Sequence, residues 1–156
     1  MALTAWQILE GELDREDVRA LLSQHFAEMR AGSPPEACHV LPIDGLKAPG
    51  IRFFTLREDE VLLGCGALKR LGDGHGEVKS MRTANSALGR GVGKAMLDHL
   101  VATARAQGIT RLSLETGSTE QFAAANRLYD REGFERCGPF GDYVDTPFTH
   151  FFTKDI

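Results

Sequence analysis

The chain has 156 residues, with 18 Lys+Arg against 22 Asp+Glu, a net charge of −4 and a pI near 5.7. That balance argues against a general nucleic-acid binder, which carries a basic excess to neutralise phosphates. At 42% hydrophobic and 26% charged the composition is that of a folded domain rather than a disordered one, and no apolar run approaches the ~18 residues that span a bilayer.

Trp6 to Leu9 reads as a short first strand. Asp14 then caps a helix, with Asp17 three residues on and Val18, Leu21, Leu22, Phe26 and Met29 at helical spacing, stopped by Gly32-Ser33-Pro34-Pro35. Residues 33–50 hold four prolines and read as an irregular loop with one helical turn. Ile51 to Leu56 and Val61 to Leu68 are strands around a polar turn, Arg57 to Glu60, and Glu77 to Thr83 follows the glycine-rich turn Gly72 to Gly76 as a further strand. From Gly91 the period changes. Val92, Ala95, Met96, Leu100, Val101 and Ala104 predict a helix over 91–107 that ends at Gly108. Ile109 to Glu115 is a strand, Glu120 to Glu132 a helix stopped at Gly133, and Phe134 and Phe148 to Thr153 supply closing strands. The fold class expected is mixed α/β (α+β). A mostly antiparallel sheet of six to seven strands is flanked by about four helices, with one strand–helix–strand crossover over 77–115, in one domain spanning 1–156.

Charge and cysteine narrow the partners. Residues 1–62 hold 6 Lys+Arg and 11 Asp+Glu, net −5, and residues 63–156 hold 12 and 11, net +1. Within the second part, residues 88–111 carry Arg90, Lys94, Arg105 and Arg111 against Asp98 alone, a local anion site rather than a nucleic-acid surface. Cys38, Cys65 and Cys137 form no CxxC and no zinc-type spacing, so no metal is expected and the thiols read as idle in a reducing cytosol. Met1 to Glu10 shows no basic region followed by an apolar core; a cytoplasmic protein without membrane contact is expected.

Glycine is the compositional outlier, at 17 of 156 residues against the usual ~7%. The densest cluster is Leu88-Gly89-Arg90-Gly91-Val92-Gly93-Lys94, between a strand and a helix start. Such a turn aims unpaired backbone N–H groups and the positive end of the helix dipole at an anion, and glycine lets a phosphate approach closely. The dinucleotide fingerprint fails because its sixth position is Lys94, and the P-loop pattern fails because Ala95 follows Lys94. A GxGxG loop remains, which fits a phosphate or simply a tight turn.

The stretch from Glu77 to Phe134 resembles the GCN5-related N-acetyltransferase (GNAT) superfamily, the acyl-CoA-dependent N-acyltransferases. Gly91-Val92-Gly93 matches the glycines of its Q/R-x-x-G-x-G/A signature. Ala125-Asn126-Arg127-Leu128-Tyr129 followed by Gly133-Phe134 matches its A-x-x-L-Y and G-F elements. Leu88 stands at the family's Gln/Arg position, leaving only a backbone amide there, and Phe122 stands where many members carry Asn.

The resemblance implies acetyl-CoA as cosubstrate and an N-acetyltransferase acting on a primary amine of a small molecule or peptide. The alternative is a CoA-binding or regulatory module of the same fold. It implies Glu77 as general base and Tyr129 as general acid, with His75 a nearby alternative base. The backbone of Met81, Arg82 and Thr83 would hold the pantetheine arm, and Leu88, Gly89, Arg90, Gly91, Val92, Gly93 and Lys94 the pyrophosphate. Strand alternation sets Glu77, Lys79, Met81 and Thr83 on one side and Val78, Ser80 and Arg82 on the other. Acceptor-side candidates are Met29, Arg30, Glu36, His39, Phe140 and Tyr143, in an acidic half suited to a cation. A homodimer is compatible with the chain.

Overall fold

The computed structural model describes residues 5–31 and 43–156. The Gly32–Pro35 helix stop, Glu36, Cys38 and His39 lie outside them. The elements are β1 (Trp6–Glu10), α1 (Glu16–Ala31), β2 (Ile51–Glu58), β3 (Val61–Gly72), β4 (His75–Thr83), α2 (Val92–Ala106), β5 (Arg111–Gly117), α3 (Ala123–Arg131), β6 (Glu135–Cys137) and β7 (Thr149–Asp155). Short 3-10 turns cover Ile43–Lys47, Asn85–Ala87 and Glu120–Phe122. The strands form one seven-stranded sheet in the order β1-β2-β3-β4-β5-β7-β6. All neighbours are antiparallel except β4 and β5, which run parallel and are joined through α2.

Strand alternation distributes the core onto both faces. Phe53 joins Val18, Leu21, Leu22 and Phe26 of α1 on one face, with Cys65 and Ala67. Its neighbour Phe54 joins Val92, Met96, Leu97, Leu100 and Ala104 of α2 on the other, with Leu68, Val78, Leu112 and Leu114. The buried series 92, 96, 100, 104 on α2 is the stripe that the 3.6-residue period requires of a helix lying on a sheet.

Several boundaries move for local reasons. The hairpin between β2 and β3 is tighter than the polar run 57–60 suggests, because Asp59 takes φ +54 and the strands continue to Glu58 and from Val61. Likewise Gly74 at φ +70 turns β3 into β4 directly.

The strict alternation expected over 77–83 does not hold. From Cys65 to Ala67 β3 advances two residues, while its partners on β4 run from Arg82 to Lys79, three residues. The extra residue is a bulge at Ser80, which takes φ +54 and whose carbonyl accepts the Cys65 thiol at 3.3 Å. The bulge flips the remainder of the strand. Met81 packs with Val78 on the α2 face, and Arg82 faces α1, where it pairs with Glu28.

Candidate active site

The parallel pairing of β4 and β5 is short. It runs from His75↔Arg111 to Val78↔Leu114 and stops. Beyond it Lys79–Thr83 stay bonded to β3 and Glu115–Gly117 to β7, so the two central strands part and leave facing backbone edges without each other. A cavity of about 100 Å³ opens at the gap. His25 and Met29 of α1 line it from one face, Phe122, Ala125 and Tyr129 from the other, and Glu77, Lys79, Met81, Glu115 and Thr116 along the strands.

Glu77 is 2% exposed. Its Oε2 accepts the Tyr143 hydroxyl at 2.6 Å and the Lys79 ammonium at 3.1 Å, and Lys79 Nζ also donates to the Tyr143 oxygen at 2.8 Å. Tyr129 is 5% exposed and wedged between the Phe134 and Phe152 rings. Burial pushes its hydroxyl well above the usual phenol value. The turn before its helix packs closely on β5 because Gly117 has no side chain: a Cβ there would lie 2.1 Å from the Phe122 ring.

The glycine-rich turn leads into α2, with Gly91 as its N-cap at φ +84. Gly89 is also left-handed at φ +77, and a Cβ at either position would meet nothing within 4 Å, leaving open space at the helix N-terminus. Gly93 serves packing, since its Cβ would stand 3.2 Å from Leu128. Leu88 is 63% exposed beside this turn. The two cations of the turn already hold carboxylates. Arg90 pairs with Glu58 at 2.8 Å over the Trp6 ring, and Lys94 pairs with Asp98 at 2.8 Å and Glu132 at 3.4 Å. The anion-attracting groups that remain are the backbone N–H donors and the dipole of α2.

Other expected residues separate into those near the cavity and those away from it. Met29 lines it, and Phe140 packs on Tyr143 with ring centroids 5.1 Å apart. His75 lies off the cavity at the start of β4, its Nε2 2.7 Å from Ser113 Oγ; burial, then the Arg111 charge, keeps its pKa below the ordinary value. Arg82 sends its side chain to α1, so only its backbone stands at the β4 edge.

Sequence reasoning passed over His25 and Glu115 as cavity residues. Lys79 sits two residues from Glu77 on a strand, the spacing that puts side chains on one face, and alternation already sets it on the Glu77 side. His25 falls on the buried stripe of α1 between Leu22 and Phe26, where a histidine reads as core.

The sequence profile of the acetyltransferase (GNAT) family matches residues 15–134. An uncharacterised N-acetyltransferase from Bacillus subtilis, YsnE, is 44% identical over 145 residues, covering 93% of this chain and 96% of that protein. A second such protein, YedL of Escherichia coli, is 43% identical over 149 residues, covering 96% of this chain and 94% of that one. The structure of a GNAT family acetyltransferase from Elizabethkingia anophelis with acetyl-CoA bound superposes with a TM-score of 0.71 at 15% identity, covering 97% of this chain and 98% of that one; at that identity the likeness is one of fold. Parted central strands, a glycine turn at the N-terminus of the crossover helix and a match over most of the sequence agree, and the chain belongs to the GNAT acetyltransferase family, the acyl-CoA-dependent N-acyltransferases.

Proposed function

We propose that the protein is a single-domain N-acetyltransferase that moves the acetyl group of acetyl-CoA to a primary amine of a small molecule or peptide, by direct attack in a ternary complex. The observation that carries this reading is the gap between β4 and β5, with Glu77 and Tyr129 lining one cavity from opposite faces of the sheet. The chain's own features fit the cosubstrate. The unpaired edge at Met81, Arg82 and Thr83 suits an extended pantetheine arm added as a strand, and the open turn over Leu88–Lys94 suits a pyrophosphate on backbone donors. Acetyl-CoA supplies an activated acetyl thioester.

The residues answer the remaining chemical demands. An alkylamine with a pKa near ~10.4 is almost wholly protonated at neutral pH, so a base must free its lone pair. Glu77 takes that proton. Backbone N–H groups near Met81 stabilise the negative charge that develops on the carbonyl oxygen. Tyr129, kept protonated by burial, delivers a proton to the departing sulfur. The amine reaches the cavity from the α1 face.

Release of free thiol from acetyl-CoA across a panel of amines tests the reading. Turnover with at least one primary amine is expected. Tight CoA binding with no turnover on any amine would instead favour a regulatory module, in which Glu77 serves only to hold Lys79 and Tyr143.

Two substitutions separate binding from chemistry. Tyr129→Phe is expected to lower kcat by about a hundredfold, the low end for acid–base catalysis because a thiolate leaves readily. KM for acetyl-CoA should stay nearly unchanged, and a loss confined to KM would remove the acid role. Gly91→Glu is expected to weaken CoA binding by about tenfold or more. It forces a side chain into a left-handed position, at a cost of roughly 1–3 kcal/mol, and sets a carboxylate at the anion-binding end of α2. Gly91→Ala imposes the strain alone and should weaken binding less. Equal affinities for all three proteins by calorimetry would dissociate the turn from the coenzyme.

A further inference from the structure

The mechanism above uses Glu77 but not the two groups that hold it. Tyr143 lies in the segment between β6 and β7, far from Glu77 in sequence, yet its hydroxyl is 2.6 Å from Glu77 Oε2. Lys79 closes a triangle with both, 3.1 Å from the carboxylate and 2.8 Å from the phenol oxygen, and its ammonium lies 5.6 Å from the Tyr143 ring centroid. The side chains of Lys79 and Glu77 are 8% and 3% exposed.

The tyrosine ring is itself fixed. Phe140 packs edge-on at 5.1 Å and Phe151 of β7 lies at 6.0 Å, while the Tyr143 backbone N–H donates to the Phe140 carbonyl at 3.1 Å. Both contacts to the carboxylate converge on Oε2. Oε1 makes no hydrogen bond among the described residues, and Glu77 lines the cavity.

We infer that Tyr143, with Lys79 as its brace, is a positioning residue for acyl transfer: it locks Glu77 in the rotamer that turns Oε1 to the incoming amine. This rests on the reading of Glu77 as the base. The lock is directional because the phenol donates its one proton to Oε2 while its oxygen is occupied by the ammonium. Without it a buried glutamate can rotate about three bonds, and a misplaced base loses much of its advantage. The segment carrying Tyr143 thereby becomes part of the catalytic apparatus.

Among the described residues, the titratable and charged groups facing this carboxylate are Lys79 and His75 on its own strand, Glu115 on β5, Tyr143 from the segment before β7, His25 from α1 and Tyr129 from α3. Tyr143 and Lys79 are the two in hydrogen-bond contact with it.

The test is a double-mutant cycle read through pH–rate profiles. Tyr143→Phe keeps the ring and its packing and removes only the hydroxyl. It is expected to lower kcat/KM for the amine by about ten- to a hundredfold, the scale of a hydrogen bond to a charged group. It should also displace the acidic limb of the profile, a readout that a loss of packing alone would leave in place. KM for acetyl-CoA should not change.

In a Glu77→Gln background the same substitution should have no further effect on kcat/KM. If Glu77→Gln leaves the wild-type profile intact, the base assignment fails and the positioning role with it. If Glu77→Gln removes the limb while Tyr143→Phe leaves both limb and rate in place, the positioning role alone is overturned. Lys79→Met is the second variant. It should shift the limb in the same direction as Tyr143→Phe, and an unshifted limb counts against the brace.

Discussion

Glu77→Gln is expected to lower kcat/KM for the amine acceptor by about 10²–10⁴-fold, the largest effect of any single substitution in the cavity. The size follows from the distance between an amine's pKa and neutrality: more than three decades of protonated acceptor separate the bound form from the nucleophile. Glutamine is the right probe because its carbonyl oxygen can still accept from Tyr143 and Lys79, so the fold around the cavity is kept while the base is lost. The pH profile of kcat/KM in wild type should fall on the acid side, and the variant should lack that limb. CoA affinity should be unaltered, because Glu77 lies on the α1 face and the glycine turn on the other. A variant with the wild-type profile would rule Glu77 out.

The residues named in that argument differ in how far the sequence alone reveals them. Periodicity is a local property, so the stripe 92, 96, 100, 104 and the alternation of Phe53 and Phe54 are readable without coordinates. So is the glycine turn, whose composition announces its backbone. The bulge at Ser80 is not readable. Nothing about serine signals a left-handed residue, and the register slip is set by β3, where Gly66 leaves room for Met81 and Met96: a Cβ there would stand 2.9 and 2.8 Å from their side chains.

The bulge explains why Met81 and Glu77, expected on one face, lie on opposite faces. The Tyr143–Glu77 contact joins residues 66 apart and depends on β7 inserting beside β5, a pairing that no local pattern encodes. Tyr143 stands out in the sequence only as an acceptor-side candidate, and its pairing with Glu77 is not readable there.

Charge behaves similarly. The net +3 over residues 88–111 suggests two free cations at the glycine turn, but Arg90 and Lys94 each hold carboxylates from other elements or the next helical turn. Attraction for an anion there falls mainly to backbone donors, which are invisible to a count of Lys and Arg. The acidic first part of the chain resolves in the opposite sense. Glu12 and Asp17 are committed to an internal arginine, and Glu28 to Arg82, while the carboxylates lining the cavity, Glu77 and Glu115, come from the second part of the chain.

That internal arginine sets the second large effect. Arg57→Ala is expected to destabilise the protein by about 1.5–3 kcal/mol, the scale of hydrogen bonds to charged groups, because the arginine is buried while Asp17, one of the two carboxylates it holds, is 41% exposed. Arg57 is 2% exposed near the hairpin end of β2. Its Nε donates to Glu12 at 2.9 Å, its two terminal nitrogens grip Asp17 at 2.7 and 3.0 Å, and one of them reaches the Glu60 carbonyl at 3.1 Å. Thr55 donates to the same Glu12 oxygen at 2.7 Å. The cluster ties the first turn of α1 to β2, and so fixes the helix whose His25 and Met29 form one wall of the cavity.

The cluster also predicts a pH dependence. Burial alone would raise the Glu12 pKa, but hydrogen bonds from Thr55, Arg57 and Arg15 outweigh it, and the Arg57 fork lowers Asp17, so both sit below their ordinary values of 4.5 and 3.8. Groups lowered in the folded state contribute stability that is present above those ordinary values and is lost as pH falls through the lower folded ones. Wild-type unfolding free energy, measured by denaturant titration, should therefore decline from about pH 5 downward, and Arg57→Ala should flatten that decline as well as lower the whole curve. Arg57→Lys keeps the charge but not the fork, so an intermediate loss is expected. A loss below about 1 kcal/mol, the range of exposed pairs, or an unchanged slope in acid would show that the cluster does not hold α1 in place. If it does, and α1 walls the acceptor side as proposed, KM for the amine should rise in Arg57→Lys while KM for acetyl-CoA holds.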